Sequence, residues 1–180
     1  MAVAVAVKHW TLEELHSLPD DGNKYEIIHG ELFVSPAPTD PHETIAARLT
    51  RLIDPYVEAN DLGLVYRPKA IFRVGTDSEV EPDLMVRALN TDPDRDWGKA
   101  PVPILVVEIG SPSTWRRDRE HKRRFYMESG IPEYWIIDPE KREIIQVRPD
   151  VPDVASRNRL TWLPLGATET LVLDVAAVFD

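Results

Sequence analysis

The sequence predicts an α/β or α+β fold with a central mixed β-sheet and helices on its faces. Short runs rich in β-branched and aromatic residues alternate with segments whose apolar residues recur at helical intervals. Their order is helix, hairpin, helix, several strands, helix, hairpin and strand. The 16 prolines are spread along the chain and separate these elements, with no internal repeat. Such an order is typical of a single sheet covered by helices.

Length and composition fit one domain over residues 1–180, with residues 1–9 as an N-terminal arm. Hydrophobic residues make up 43 % of the 180 residues, and the formal net charge is −10, so a nucleic-acid partner would need a local basic patch. The chain has no cysteine, and no apolar run is long enough to cross a membrane. We therefore expect a reducing, cytoplasmic location and no membrane partner.

The N-terminal third should contain two helices around a hairpin. The capping-box pattern of Thr11 and Glu14 predicts a short helix that ends near Leu18. Two β-rich runs flank His29-Gly30 and predict a hairpin turn there. A helix of roughly 16 residues that ends near Asn60 should follow, because its apolar residues are spaced three and four apart.

The middle of the chain should supply three strands. Pro68 interrupts the run 64–74, which predicts a bent strand or an edge strand. The run 80–88 is predicted as a single strand, and 104–109 as a strongly apolar one. The polar, turn-rich segment 90–103 between them is predicted as a surface loop.

The rest of the chain begins with a basic helix. It follows Gly110 and should end at Gly130, since glycine is favoured just after a helix. A hairpin is predicted over 132–148, then a strand at 169–173 and a short helix at 174–179.

Two carboxylates on these strands could carry chemistry. If 80–88 is one strand, Glu81, Asp83 and Met85 project to one face, while Val80, Leu84 and Val86 project to the other. If the neighbouring strand is 104–109, Asp83 and Glu108 lie about 5 Å apart. Such carboxylates repel each other unless a cation such as Mg²⁺ lies between them. The alternative is that Glu108 ends its strand and pairs with a nearby arginine.

A lysine in the following helix is the third candidate. Asp118, Lys122 and Tyr126 are spaced four apart and share one helical face. An amine there could stabilise the attacking hydroxide or the charge on a phosphate. The alternative is a solvated helix face with a surface Asp118–Lys122 pair.

Several motifs together resemble one family. YEIIHGELFVSPAPTDPHE, VEPDLMV, ILVVEIGSPST, D-x-x-x-K-x-x-x-Y and GIPEYWIIDP occur in this order, and the likeness runs from about Trp10 to Phe179. The sequence thereby resembles the Uma2 family, in the PD-(D/E)XK nuclease superfamily. The resemblance implies a restriction-endonuclease-like fold and Mg²⁺-dependent cleavage of phosphodiester bonds in DNA, with Mn²⁺ as a possible substitute. Asp83 and Glu108 match the metal-binding catalytic carboxylates.

The resemblance also assigns the remaining candidates. Gly110 stands where the parent motif has lysine, and Lys122 matches the lysine moved to the next helix. Glu26 matches a glutamate of the first motif and could join the catalytic site, or it could form a salt bridge within the hairpin. His42 could contact a phosphate or shuttle a proton, or it could be a surface cap. The arginines of the basic helix would contact phosphates: Arg116, Arg117, Arg119, Arg123 and Arg124.

Two functions remain open from the sequence. The first is the metal-dependent endonuclease, for which the superfamily implies a homodimer. The second is a catalytically weak or inactive protein of the same fold that binds nucleic acid or serves as an oligomeric structural protein. The displaced lysine and the net charge of −10 favour the second function.

Overall fold

The structure is a computed structural model that describes residues 8–111 and 118–180. It has twelve short strands: β1 (Lys24–Ile28), β2 (Glu31–Ser35), β3 (Leu64–Tyr66), β4 (Phe72–Val74), β5 (Ser78–Val80), β6 (Leu84–Arg87), β7 (Leu105–Ile109), β8 (Tyr134–Asp138), β9 (Glu143–Val147), β10 (Val154–Ser156), β11 (Arg159–Trp162) and β12 (Leu171–Asp174). The helices are α1 (Leu12–His16), α2 (Asp40–Ala59), α3 (Arg123–Glu128) and α4 (Ala176–Phe179). A 3₁₀ turn covers Trp97–Lys99, and a π-helical turn at Asp118–Lys122 leads into α3.

The strands form two main sheets and a separate hairpin. The order in the smaller sheet is β2-β1-β5-β4, and in the larger one β10-β9-β8-β7-β6-β3. Strands β7 and β8 are parallel, whereas the other neighbours in the larger sheet are antiparallel. The predicted mixed sheet flanked by helices is therefore confirmed, and a second sheet accompanies it.

The N-terminal elements form as their local sequence predicts. The reciprocal hydrogen bonds of the capping box join Thr11 and Glu14, and α1 ends at His16, two residues earlier than expected. Strands β1 and β2 pair from Lys24↔Ser35 to Ile28↔Glu31. His29 and Gly30 both have positive φ, 51° and 76°, which is the geometry of a tight hairpin turn of the I′ type.

Helix α2 is longer than predicted, at 20 residues, and it contains Pro55. Its buried stripe includes Leu49, Ile53 and Val57, which pack against the larger sheet in a core shared with β6 and β7. A second core lies on the opposite face of the larger sheet and contains Phe125, Tyr126 and Tyr134. The larger sheet is thus covered on both sides.

The run 80–88 is not one strand, so the predicted face assignment was wrong for Val80. Val80 ends β5 in the smaller sheet, whereas Leu84 begins β6 in the larger one. Val80 consequently packs in a different core from Leu84 and Val86. Pro82 explains the break, because proline has no backbone N–H to donate to a sheet ladder.

The run 64–74 divides in the same way, since β3 belongs to the larger sheet and β4 to the smaller. The C-terminal hairpin of β8 and β9 confirms the sequence prediction. Strands β10 and β11 were not predicted. Val154 and Ala155 of β10 are both exposed, so β10 lacks the alternation that marks a half-buried strand.

Gly130 follows α3 with a φ of 79°, as expected for a residue that ends a helix. The first residues of the predicted basic helix lie outside the described part of the chain. Across residues 8–111 and 118–180, none of the helices combines the length and apolar character needed to cross a membrane.

Candidate active site

A cleft of about 1050 Å³ opens beside the junction of the two sheets. Helix α1, the segment 35–47 and the end of β7 contribute to its walls. Its polar lining includes Lys24, His42, Glu81, Asp83 and Glu108. The break at Pro82 creates this arrangement, because it places Asp83 just outside β6 and next to the last residues of β7.

Asp83 is almost fully buried and is held from three sides. Its Oδ2 accepts hydrogen bonds from the backbone N–H of Ile109 at 2.8 Å and from Nε2 of His42 at 3.0 Å. Its Oδ1 accepts a hydrogen bond from Nζ of Lys24 at 3.2 Å. Burial alone would raise the pKa of Asp83, but Lys24 and His42 outweigh burial and hold this pKa well below its usual range.

Glu108 lies in β7 and is 2 % exposed. Its Oε1 accepts hydrogen bonds from Nζ of Lys122 at 2.7 Å and from the hydroxyl of Tyr126 at 2.6 Å. Burial raises the pKa of Glu108 to about 7; the two nearby lysines oppose this shift, whereas Asp83 adds to it. Among the described residues Glu108 pairs with a lysine, so the structure does not bear out the alternative of an arginine partner.

Lys122 bridges two carboxylates in the interior. Its side chain is 0 % exposed, and Nζ donates to Oε1 of Glu26 at 2.9 Å as well as to Glu108. The alternative of a solvated helix face was therefore wrong. Lys122 and Tyr126 both reach Glu108 because they are four residues apart at the change from the π turn to α3.

Glu26 is also fully buried, in β1 of the smaller sheet. Its Oε1 accepts a hydrogen bond from the N–H of Glu81 at 3.0 Å in addition to that of Lys122. Its ion pair therefore runs to Lys122, and its cross-strand neighbour in β2 is Phe33. The structure thus brings four predicted site residues together: Glu26, Asp83, Glu108 and Lys122.

Lys24 is a site residue that the sequence prediction missed. Its Nζ donates to Oδ1 of Asp83 and to the backbone carbonyl of Glu81, the latter at 3.0 Å. Burial would lower the pKa of Lys24, but the surrounding carboxylates dominate and raise it. The sequence contained a signal, because Lys24 and Glu26 are two apart in β1 and so lie on the same face.

His42, near the start of α2, is half-buried and lines the cleft. Burial disfavours its charged form, but the hydrogen bond and charge of Asp83 outweigh burial and raise the pKa of His42. The alternative of a surface cap was wrong, since the imidazole contacts a carboxylate of the site.

Of the predicted phosphate-binding arginines, those in the described part of the chain do not line the cleft. Arg116 and Arg117 lie outside the described residues. Arg123 pairs with Asp153 at 2.8 Å, and Arg124 is exposed on the surface. The cleft instead has two other cationic side chains at its edge, Arg67 and Lys69.

The chemistry of the donors decides which metal the site could hold. In the described part of the chain, no three His, Cys, Asp or Glu side chains cluster closely enough to form a metal cage. A site with the carboxylates of Asp83 and Glu108 fits Mg²⁺ or Mn²⁺, since Mg²⁺ is bound by one or two carboxylates together with waters and substrate oxygens. The donor set does not fit zinc, which usually takes three or four protein ligands.

The two sheets and the carboxylate-lined cleft at their junction define a protein of nuclease-like fold. A crystal structure described as "a putative nuclease belonging to DUF820", from Anabaena variabilis, has the same fold with a TM-score of 0.76. The sequences are 23 % identical, and the match covers 94 % of this chain and 97 % of that chain.

The chain belongs to the Uma2 family, which is described as "Putative restriction endonuclease". The sequence model of this family matches residues 12–176, nearly the whole chain. No curated protein gives a significant match. The family resemblance inferred from the motifs is therefore confirmed.

Proposed function

We propose that the protein is a metal-dependent endonuclease that hydrolyses phosphodiester bonds of DNA. Membership of the Uma2 family supports nuclease activity in general. The observation that carries the specific proposal is the convergence of Asp83 and Glu108 at one cleft, with Lys122 bonded to Glu108 on its buried side, although the three residues lie far apart in the sequence. Lys122, at the end of the π turn, donates a hydrogen bond to Glu108, whereas Gly110 has no side chain that could do so.

Asp83 and Glu108 would hold Mg²⁺ or Mn²⁺, which supplies a Lewis acid and lowers the pKa of a bound water. Lys122 and Tyr126 fix the carboxylate of Glu108 through two hydrogen bonds to the same oxygen. Glu26 in turn holds the ammonium of Lys122. These contacts pre-organise the buried side of the site before the substrate binds.

Hydrolysis requires that the oxygen of one water bonds to phosphorus and that the bond from phosphorus to one sugar oxygen breaks. One proton of the water must leave, and the departing sugar oxygen must gain one. His42 lines the cleft and contacts Asp83, so its imidazole is placed to exchange a proton there. Arg67 and Lys69 offer cationic contacts for phosphates at the edge of the cleft.

The basic segment 116–124 remains part of the proposal as an outer contact to the DNA backbone. Arg119 is half-buried, whereas Arg124 is exposed. Because the whole chain carries a net charge of −10, such contacts must be local. Binding should therefore weaken steeply as salt rises.

The second candidate function is non-catalytic nucleic-acid binding. It is favoured by one observation: both oxygens of Asp83 already accept hydrogen bonds from cationic or ionisable side chains, Lys24 and His42. A metal would compete with these contacts for the lone pairs of Asp83, of which Oδ1 has one left. If the carboxylates never exchange them for a metal, the cleft would remain a structural ion-pair network.

Metal titration and plasmid nicking distinguish these functions. We expect calorimetry to show Mn²⁺ binding to the wild type, and supercoiled plasmid to be nicked with Mg²⁺ or Mn²⁺. Asp83→Asn and Glu108→Gln should abolish both. Glu133→Gln is a matched control. Glu133 is also a buried carboxyl group, but it lies outside the cleft lining and accepts hydrogen bonds from Trp135 and Gln146. A folded wild type that neither binds Mn²⁺ nor nicks the plasmid would exclude the enzyme.

A further inference from the structure

Two lysines belong to the site, but only one of them faces the cleft. The side chain of Lys24 is 20 % exposed and lines the cleft, whereas that of Lys122 is 0 % exposed and contributes nothing to the lining. Glu108 lies between the ammonium of Lys122 and the space in which a substrate could bind. The two amines are therefore suited to different tasks.

Lys122 is fixed where it is. Its ammonium makes two short contacts to carboxylate oxygens, at 2.7 and 2.9 Å. Charge-assisted hydrogen bonds of this kind in a buried setting are strong, and breaking them would leave both carboxylates without their cation. Moving Lys122 into the cleft to meet a phosphate would therefore be unfavourable.

Lys24 has both the anchorage and the free donor that a phosphate contact needs. An ammonium has three N–H donors. Asp83 and the carbonyl of Glu81 accept two of them, and the described part of the chain offers no acceptor for the third. Arg67 and Lys69 also line the cleft, but both are exposed loop residues. Of these cations, Lys24 is the one held in place beside Asp83.

We propose that Lys24 is the ammonium that contacts the substrate phosphate, and that Lys122 is a positioning residue for the carboxylates. This inference rests on the proposed nuclease function. Lys24 transfers no proton: its positive charge stabilises the negative charge that grows on the non-bridging phosphate oxygens as water adds to phosphorus. Strand β1 thus supplies a cation to the cleft through Lys24 and a carboxylate to the interior through Glu26.

The decisive variant is Lys24→Met, which keeps the length of the side chain and removes its charge. We expect plasmid nicking to fall by about 100-fold, as for the loss of a pre-organised donor at a transition state. Mn²⁺ binding without DNA should persist, because the variant removes a cation that competes for Asp83. Lys24→Arg should recover part of the nicking activity. Lys99→Met is the control, since Lys99 bonds Asp92 at the same distance, 3.2 Å, outside the cleft.

A second measurement does not depend on turnover. Fluorescence anisotropy with a short DNA duplex and Ca²⁺ in place of Mg²⁺ should show binding weakened about tenfold in Lys24→Met and unchanged in Lys99→Met. If Lys24→Met nicks plasmid and binds DNA within threefold of the wild type, the inference is wrong while the nuclease proposal stands. A wild type that binds no metal and nicks no DNA would overturn both. Failure of both Lys24→Met and Lys24→Gln to fold would also overturn the inference, because Lys24 would then be a folding residue.

Discussion

Lys122 shows what a buried charge does to stability at the level of one residue. Removing one member of a buried ion pair leaves its partners charged and desolvated, which is far more destabilising than losing a surface pair. Here the partners would be two carboxylates, Glu26 and Glu108, which already lie in the interior. The stability of the metal-free protein should therefore depend strongly on this one ammonium.

We predict that Lys122→Met lowers the free energy of unfolding by about 3–5 kcal/mol, as expected for the breaking of a buried ion pair. Urea unfolding followed by circular dichroism measures this change. Lys99→Met should change it by less than about 0.5 kcal/mol, because Lys99 is exposed. A loss below about 1 kcal/mol in Lys122→Met would show that the buried carboxylates do not rely on the lysine.

The raised pKa of Glu108 should make the stability of the protein depend on pH. Burial raises its pKa to about 7 from an ordinary value of 4.5, so between these values the folded protein holds a proton that the unfolded chain releases. The resulting stability is fully present below about pH 4.5 and is lost as the pH rises through 7. His42, whose pKa is also raised, acts in the same direction. Asp83 acts in the opposite direction, because its pKa is lowered in the folded protein. Its contribution to stability is present at neutral pH and is lost only as the pH falls into the strongly acidic range.

We accordingly predict that the metal-free protein loses roughly 1–3 kcal/mol of stability between pH 5 and pH 8. Urea unfolding in the presence of a chelator at several pH values measures the slope. Glu108→Gln should flatten it, whereas Glu58→Gln, on the exposed side of α2, should leave it unchanged. A wild-type slope of zero, or a slope unchanged in Glu108→Gln, would contradict the raised pKa.

At the level of elements, the connection from α2 to β3 depends on a glycine. Gly63 has a φ of +110°, and a Cβ added there would lie 2.1 Å from the backbone carbonyl oxygen of Arg87. Gly130 also has a positive φ, +79°, but a Cβ there would meet nothing within 4 Å. Substitution of Gly130 by alanine would therefore introduce backbone strain alone. The same substitution at Gly63 would introduce strain together with a steric collision.

We predict that Gly63→Ala lowers the free energy of unfolding by more than about 3 kcal/mol, because strain and collision add. Gly130→Ala should cost only about 1 kcal/mol, from the strain of its positive φ. Thermal unfolding compares the two variants. Equal losses would mean that β3 and β6 shift apart easily and that the close contact of the backbones is not required.

Local sequence patterns predict the elements well where local physics determines them. The capping box of α1, the β1–β2 turn and the buried stripe of α2 all depend on residues close in sequence, and all were predicted. The run 80–88 was wrongly predicted as one strand, because its residues have strand character on both sides of Pro82. Which sheet each half joins is decided by partners distant in the chain.

Prediction of the site from the sequence is limited in the same way, because the site also depends on contacts between residues distant in the chain. Strand faces and helical spacing made Asp83, Glu108 and Lys122 candidates but left alternatives open, and the resemblance to a family then favoured them and added Glu26. Lys24 was missed because a lysine on a strand is ordinarily a surface residue. Only the tertiary structure places β1 beside the junction of the sheets and brings Lys24 to Asp83.

At the level of the whole molecule, each chain supplies one Asp83 and one Glu108 to the proposed active site, so cleavage of both DNA strands at one position would call for two copies. We predict a homodimer with twice the chain mass of 20.5 kDa. Size-exclusion chromatography with light scattering measures the mass at micromolar concentration. A monomer that nicks one strand without producing double-strand breaks would contradict the dimer and leave the active site intact.

The π turn at Asp118–Lys122 gives the site a sensitivity that point substitutions do not reveal. Wide turns of this kind arise where one extra residue is accommodated within an α-helix. Each residue of a helix advances the direction of the side chains by roughly 100°. Deleting Arg123 or Arg124, which follow this turn, would therefore rotate the amine at 122 away from Glu108 while Phe125 and Tyr126 kept their packing. Because the lysine and Glu108 lie on different elements, a one-codon deletion can break their ion pair even when every residue of the carboxylate cluster is retained.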